Sequence, residues 1–158
     1  MTAHEHDMVR EFHEAFDVTI RTVPDNTTVS GEEQLLRAKL VLEEAFEFAA
    51  AMGVVPCDSE GHEIKHSDIT YDIYESIDLV ESADALADLL YVTYGSAHTL
   101  GLPIREIFAA VHASNMEKLG PDGKPIYRPS DGKVMKPPGW VAPQSRITTI
   151  LLREVQGD

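Results

Sequence analysis

The chain has 158 residues and a mass of 17.5 kDa, enough for one domain with a real core and short for two. Hydrophobic residues make up 43% and charged residues 25%, an ordinary globular balance that argues against wholesale disorder. Acids outnumber bases 27 to 13, for a formal charge of −14, which argues against a general nucleic-acid or anionic-membrane binder, since both need an electropositive face.

One cysteine, Cys57, leaves no intrachain disulfide and no cysteine-rich zinc site. The opening Met1-Thr-Ala-His-Glu-His-Asp7 has neither the basic region nor the apolar run of a signal peptide. No later apolar run has membrane-spanning length, so a cytoplasmic protein is expected.

Met8, Val9, Phe12 and Phe16 recur at helical spacing and predict a short first helix, with Pro24 beyond its end. Residues 22–30 are turn formers, and Ser30 is placed to cap the next helix. That helix is expected from Gly31 to Met52, with a stop at Gly53. Between Val54 and Ser76 the periodicity fails, and Ile69-Thr-Tyr-Asp-Ile-Tyr74 suggests an irregular insertion with a short strand pair. Helical periodicity returns from Ile77 to His98 and ends at Gly101. Pro103 suits the first turn of a further helix reaching about Leu119 and closed by Gly120-Pro121. Residues 121–143 hold six of the nine prolines and read as a Pro/Gly/Lys-rich loop; Ile147 to Val155 predicts a last short helix. The expected architecture is all-α: a bundle of about four main helices, with the irregular insertion between the two that carry acids.

Those acids are the informative residues. Glu43, Glu44 and Glu47 fall within about 100° of one helix's circumference. The stripe through Glu43 and Glu47 begins with Leu36 and Leu40, so a core-facing stripe turns acidic. Glu81, Asp84 and Asp88 fall within about 60° of a second helix that is otherwise apolar nearly all round. Such a helix is normally buried, so Asp84 and Asp88 are expected to point inward.

A solvated acidic face interleaves bases at offsets of four, yet no Lys or Arg lies between Leu40 and Gly53 or between Ile77 and Gly101. Like charges at these offsets repel, and desolvation raises the cost. A hard divalent cation with oxygen ligands is the natural counter-charge. The Glu-x-x-His pairs of di-iron bundles are missing, and none of the seven histidines falls in either stripe. All-oxygen ligation points to Mg²⁺, with Mn²⁺ as a substitute. Mg²⁺ takes few carboxylates and completes its shell with water and phosphate oxygens, which points to a phosphorylated substrate.

Glu43-Glu-x-x-Glu47 followed by Glu81-x-x-Asp84 resembles the all-α nucleoside triphosphate pyrophosphohydrolases, the MazG-like and phosphoribosyl-ATP pyrophosphohydrolase-like superfamily. Leu86-Ala-Asp-Leu-Leu-Tyr-Val-Thr-Tyr-Gly95, Val111-His-Ala-Ser-Asn-Met-Glu-Lys118 and Asp131-Gly-Lys-Val-Met-Lys-Pro-Pro-Gly-Trp140 are similar to the subgroup related to dimeric dUTPases. Residues 8–56 and 77–150 carry the likeness. Spacing alone selects Glu81 and Asp84 as the second acid pair. The following Leu-Leu-Tyr-Val stretch instead makes Asp88 the final acid, with Ala85 where its partner is expected. The preferred ligands are Glu43, Glu44, Glu47, Asp84 and Asp88, with Glu81 as a third ligand from this helix or one layer out.

Bases collect late, at Lys118, Lys124, Arg128, Lys133 and Lys136. Asn115 and Lys118 share a helix face that the resemblance places beside the metals; an amide suits a sugar or base edge and an ammonium a phosphate. Lys133 and Lys136 flank a Gly-containing loop able to close over a triphosphate. Trp140, the only tryptophan, reads more as a packing anchor than as a base-stacking platform.

The expected activity is Mg²⁺-dependent hydrolysis of a (deoxy)nucleoside triphosphate to the monophosphate and pyrophosphate by metal-activated water, with Glu44 or Glu47 taking the proton. No nucleophile elbow and no P-loop offers another route. The alternative is a non-catalytic nucleotide- or metal-binding helical module, a sensor or assembly protein. Helices apolar on more than one face, together with the resemblance, imply a homodimer or a dimer of dimers.

Overall fold

The computed structural model describes residues 4–129 and 134–156. Lys133, with Asp131 and Gly132 of the Trp140 motif, lies outside the described residues. The regular structure is helical throughout: α1 (Glu5–Ala15), α2 (Gly31–Ala51), a 3₁₀ turn (His66–Asp68), α3 (Leu79–Leu100), α4 (Ile104–Met116) and α5 (Gln144–Gln156). Among the described residues the only β pairing is in isolated bridges. The expected all-α class is what the chain adopts, with five α-helices among the described residues.

Local signals account for the helix ends. Ser30 is extended, and its hydroxyl accepts from the Glu33 N–H at 3.1 Å, while Glu32 and Glu33 complement the positive end of α2. Gly53, at φ 71°, supplies the left-handed residue that stops this helix. Asp78 starts α3 by accepting from the N–H groups of Val80 and Glu81 at 2.9 and 3.1 Å.

Pro103 caps α4 from outside the first turn, and α4 stops at Met116, short of the expected Leu119. The reason is the tight turn that follows. Leu119 bridges Pro125, and the Gly120 N–H donates to the Lys124 carbonyl at 2.7 Å, so the chain must leave the helix first.

The short strand pair expected in the insertion of residues 54–76 is reduced to a single bridge. It joins Cys57 and Glu63, because Asp58 accepts from the Glu60 and His62 N–H groups at 2.9 Å and folds a turn there.

The described chain divides into two compact units, residues 23–85 and, second, residues up to 22 together with those from 86 onward. In the first, Asn26 donates to the Ile77 carbonyl at 2.8 Å and Gln34 to that of Glu75 at 3.4 Å, tying the start of α2 to the segment before α3. His66 lies edge-on to Phe46, centroids 5.9 Å apart, and its Nε2 shares a 2.9 Å hydrogen bond with the Tyr71 hydroxyl. A cleft of about 420 Å³ opens among Asn26, Gln34, Ile73 and Tyr74.

In the second unit α4 packs against both α1 and α5. Phe12 and Phe16 stack at 4.1 Å, and Phe16 is buried. Ion pairs fasten the flanks: Arg105 to Glu5, Arg146 to Glu117, and Arg153 to Glu106.

Candidate functional site

The α2 acids are set by helix spacing. Glu43 is half-buried, and Glu44 and Glu47 are exposed. Desolvation, followed by the charges of Glu47 and Glu43, pushes the Glu44 carboxyl above its ordinary 4.5. On α3, Glu81, Asp84 and Asp88 are all exposed, where an inward orientation was expected for Asp84 and Asp88. The periodicity correctly marks α3 as apolar, but within one chain its apolar surface stays open: Leu86 is 56% exposed, Leu90 59% and Tyr91 81%.

Several arginines elsewhere are matched to acids, as in Arg10–Glu14 at 3.0 Å. None of the six carboxylates on α2 and α3 has such a partner among the described residues. An all-oxygen donor set with no basic counterpart fits a hard divalent cation. Among the described residues no three Asp, Glu, His or Cys side chains converge into a metal-holding group.

The predicted substrate contacts Asn115, Lys118 and Lys136 do assemble, all in the second unit. Lys118 lies beyond the end of α4 and so does not share its helical face with Asn115 as expected. Its ammonium still reaches back to donate to Asn115 Oδ1 at 2.7 Å. Lys136 Nζ sits 4.2 Å from the Trp140 ring centroid, and Lys118 Nζ sits 5.8 Å from it. Burial, and then the Lys136 charge, pull the Lys118 ammonium below its ordinary 10.5.

Trp140 Nε1 donates to the Ser114 carbonyl at 2.8 Å, and the Ser114 hydroxyl donates to the Val141 carbonyl at 3.0 Å. Ser114 is 1% exposed, so this pair of bonds fixes the Trp140 segment to α4. Trp140 is therefore an anchor, as its sequence context suggested. Its contact with both lysines had no sequence signal, because loop spacing carries no periodicity.

The sequence profile of the phosphoribosyl-ATP pyrophosphohydrolase family matches residues 9–115. The chain belongs to that family, within the MazG-like all-α NTP pyrophosphohydrolase superfamily. The fold is similar to the crystal structure of a "putative NTP pyrophosphohydrolase" from Exiguobacterium sp. 255-15, with a TM-score of 0.73 and 29% identity over 99% of each chain. No curated protein gives a significant match. Family and fold together support a pyrophosphohydrolase. Among the described residues no helix is long and apolar enough to cross a membrane.

Proposed function

We propose that the chain hydrolyses a nucleoside triphosphate, preferentially a deoxynucleotide, to the monophosphate and pyrophosphate, with Mg²⁺ as its metal. The observation that carries this reading is the set of six carboxylates on α2 and α3 with no base matched to them among the described residues, in a member of this family. Glu43, Glu44, Glu47, Asp84 and Asp88 would hold the metal, with Glu81 as a further ligand or one layer out. Mg²⁺ bound there supplies neutralisation of the phosphate charge and acidifies the attacking water.

Water adds at the α-phosphorus, and the bond from that phosphorus to the bridging oxygen breaks, releasing pyrophosphate. Glu44 takes the water proton, a role that suits a carboxyl held above its ordinary range by desolvation and neighbouring charge; Glu47 is the other candidate. Asn115, Lys118, Lys133 and Lys136 receive the sugar and phosphates.

The open apolar surface of α3 supports a homodimer or a dimer of dimers. The test is pyrophosphate release from a dNTP panel with Mg²⁺, with and without EDTA. Release abolished by EDTA is the expected result. Nucleotide binding with no release from any dNTP would favour the non-catalytic module.

A further inference from the structure

We propose that Trp140 is a positioning residue, whose indole ring holds the Lys118 and Lys136 ammoniums together as a preformed cradle for a polyphosphate chain. The inference rests on the proposed nucleotide reading for its biological ligand, and the binding chemistry stands on the geometry alone.

Two ammoniums at 5.8 and 4.2 Å from one ring centroid are no more than about 10 Å apart, and they repel. The expected remedy in a chain with 27 acids and 13 bases is a carboxylate. Neither lysine has one within ion-pair distance among the described residues, and neighbouring Glu117 is engaged by Arg146. The negative face of the indole takes that place, since a cation within about 6 Å of an aromatic centroid is attracted by the ring quadrupole. An aromatic face offsets the repulsion without neutralising either charge. Both cations therefore stay available to an anion, whereas a carboxylate would compete with it.

The ring is itself immobilised. Its N–H is spent on the Ser114 carbonyl, and the buried Ser114 hydroxyl fixes the next residue, Val141. With its N–H on the Ser114 carbonyl, the ring faces two ammoniums, at 4.2 and 5.8 Å from its centroid. Asn115 Oδ1 accepts from Lys118 at 2.7 Å and so orients that ammonium. Pyrophosphate, tripolyphosphate and the phosphates of a nucleotide share the required chemistry: several adjacent anionic oxygens.

Because Trp140 is the only tryptophan, its fluorescence reports on this site alone. The experiment titrates inorganic tripolyphosphate into the full chain in EDTA, followed by emission and by calorimetry. Trp140→Leu, Trp140→Phe and Lys136→Met are compared by calorimetry, with circular dichroism confirming their helical content. The wild type should bind with a saturable emission change as the ammoniums turn from the ring to the anion. Trp140→Leu should weaken binding about fivefold, the size expected from losing one cation–π contact. Trp140→Phe, which keeps a π face but not the N–H, should recover most of that loss. Lys136→Met should weaken binding and shrink the emission change. With dNTP and Mg²⁺, Trp140→Leu should raise KM and leave kcat nearly unchanged.

Absent tripolyphosphate binding, an unchanged wild-type emission on binding, or equal losses in Trp140→Leu and Trp140→Phe would overturn the proposal. The two readings fail separately. Hydrolysis of dNTP with a silent Trp140 defeats this one alone; a responsive Trp140 with no hydrolysis upholds the cradle and defeats the enzymatic reading.

Discussion

Glu44 and Lys118 depart from their ordinary protonation in ways that separate proton, metal and phosphate roles. In the folded chain Glu44 holds its proton more tightly than in the unfolded one, because burial and the Glu47 and Glu43 charges disfavour the anion. Between 4.5 and that raised value the native state therefore binds more protons, and apo stability falls as pH rises through the window. Glu44→Gln should remove that slope. It should also stabilise the neutral-pH apo chain by about 0.2–0.5 kcal/mol, the size of an exposed like-charge helix pair. Its turnover should fall by about two to four orders of magnitude, as expected for loss of a general base. Thermal melts from pH 4 to 7 measure the first effect and pyrophosphate release the second; an unchanged slope would remove Glu44 from the coupled acid cluster.

Lys118 and Asp84 should part company in the opposite way. Lys118→Ala should weaken a non-hydrolysable dNTP analogue by about one to two orders of magnitude, the worth of one charged hydrogen bond, and leave Mg²⁺ affinity nearly unchanged. Asp84→Ala should lose Mg²⁺ first and hydrolysis with it. Sequential calorimetric titration of Mg²⁺ and analogue reads both. Untouched analogue binding in Lys118→Ala would reduce the late bases to a solvated loop. Both residues were legible in the sequence as charge types at helical or near-helical spacing. The indole within reach of two lysines was not, because the loop that places it has no period to read.

Periodicity and caps set the elements with little ambiguity where a terminator was present. Ser30, Gly53 and Gly101 mark their helix ends as residue chemistry requires, and the structure keeps them. Helix α4 gives up its expected last turn to the Gly120–Lys124 bond, and the insertion of residues 54–76 keeps one bridge, beside the Asp58 turn, in place of a strand pair.

The joint between α4 and the Pro-rich segment was equally hidden, because it depends on one buried hydroxyl. Ser114 is buried between a donated and an accepted bond, so Ser114→Ala leaves the Val141 carbonyl without its partner. The expected cost is about 1 kcal/mol of unfolding free energy. Trp140 emission should show a more mobile indole, and tripolyphosphate binding should weaken. Chemical denaturation of the full chain measures the loss; wild-type stability and emission in this variant would show that the Ser114 hydroxyl bond does not fix the segment.

At the scale of the whole molecule, the open faces of α2 and α3 need an account. On α2, Leu36 is 49% and Phe48 46% exposed; on α3, Leu86, Leu90 and Tyr91 are exposed at neighbouring helical positions, and soluble monomers rarely leave apolar surface in contiguous patches. The pattern of apolar positions identified these helices as burial-seeking, but hydrophobic periodicity does not distinguish burial inside one chain from burial against another. That is why Asp84 and Asp88 were expected to point inward and are exposed in the single chain.

A second copy of the same chain offers a matched apolar surface, and a two-fold pairing makes one patch serve both partners. Light scattering at micromolar concentration should therefore return a dimer or a tetramer. Leu90→Asp places a carboxylate on the α3 patch, and an uncompensated charge buried at such an interface costs about 3–5 kcal/mol. The dimer dissociation constant should rise by at least about two orders of magnitude. Helical content should be retained, since Leu90 is 59% exposed within its own chain. If the acids act at a subunit junction, Mg²⁺-dependent hydrolysis per chain should fall with the dimer population and recover at high protein concentration. A wild-type chain that scatters as a monomer, or a Leu90→Asp chain that stays fully associated, would show that α3 is covered by something other than its own copy.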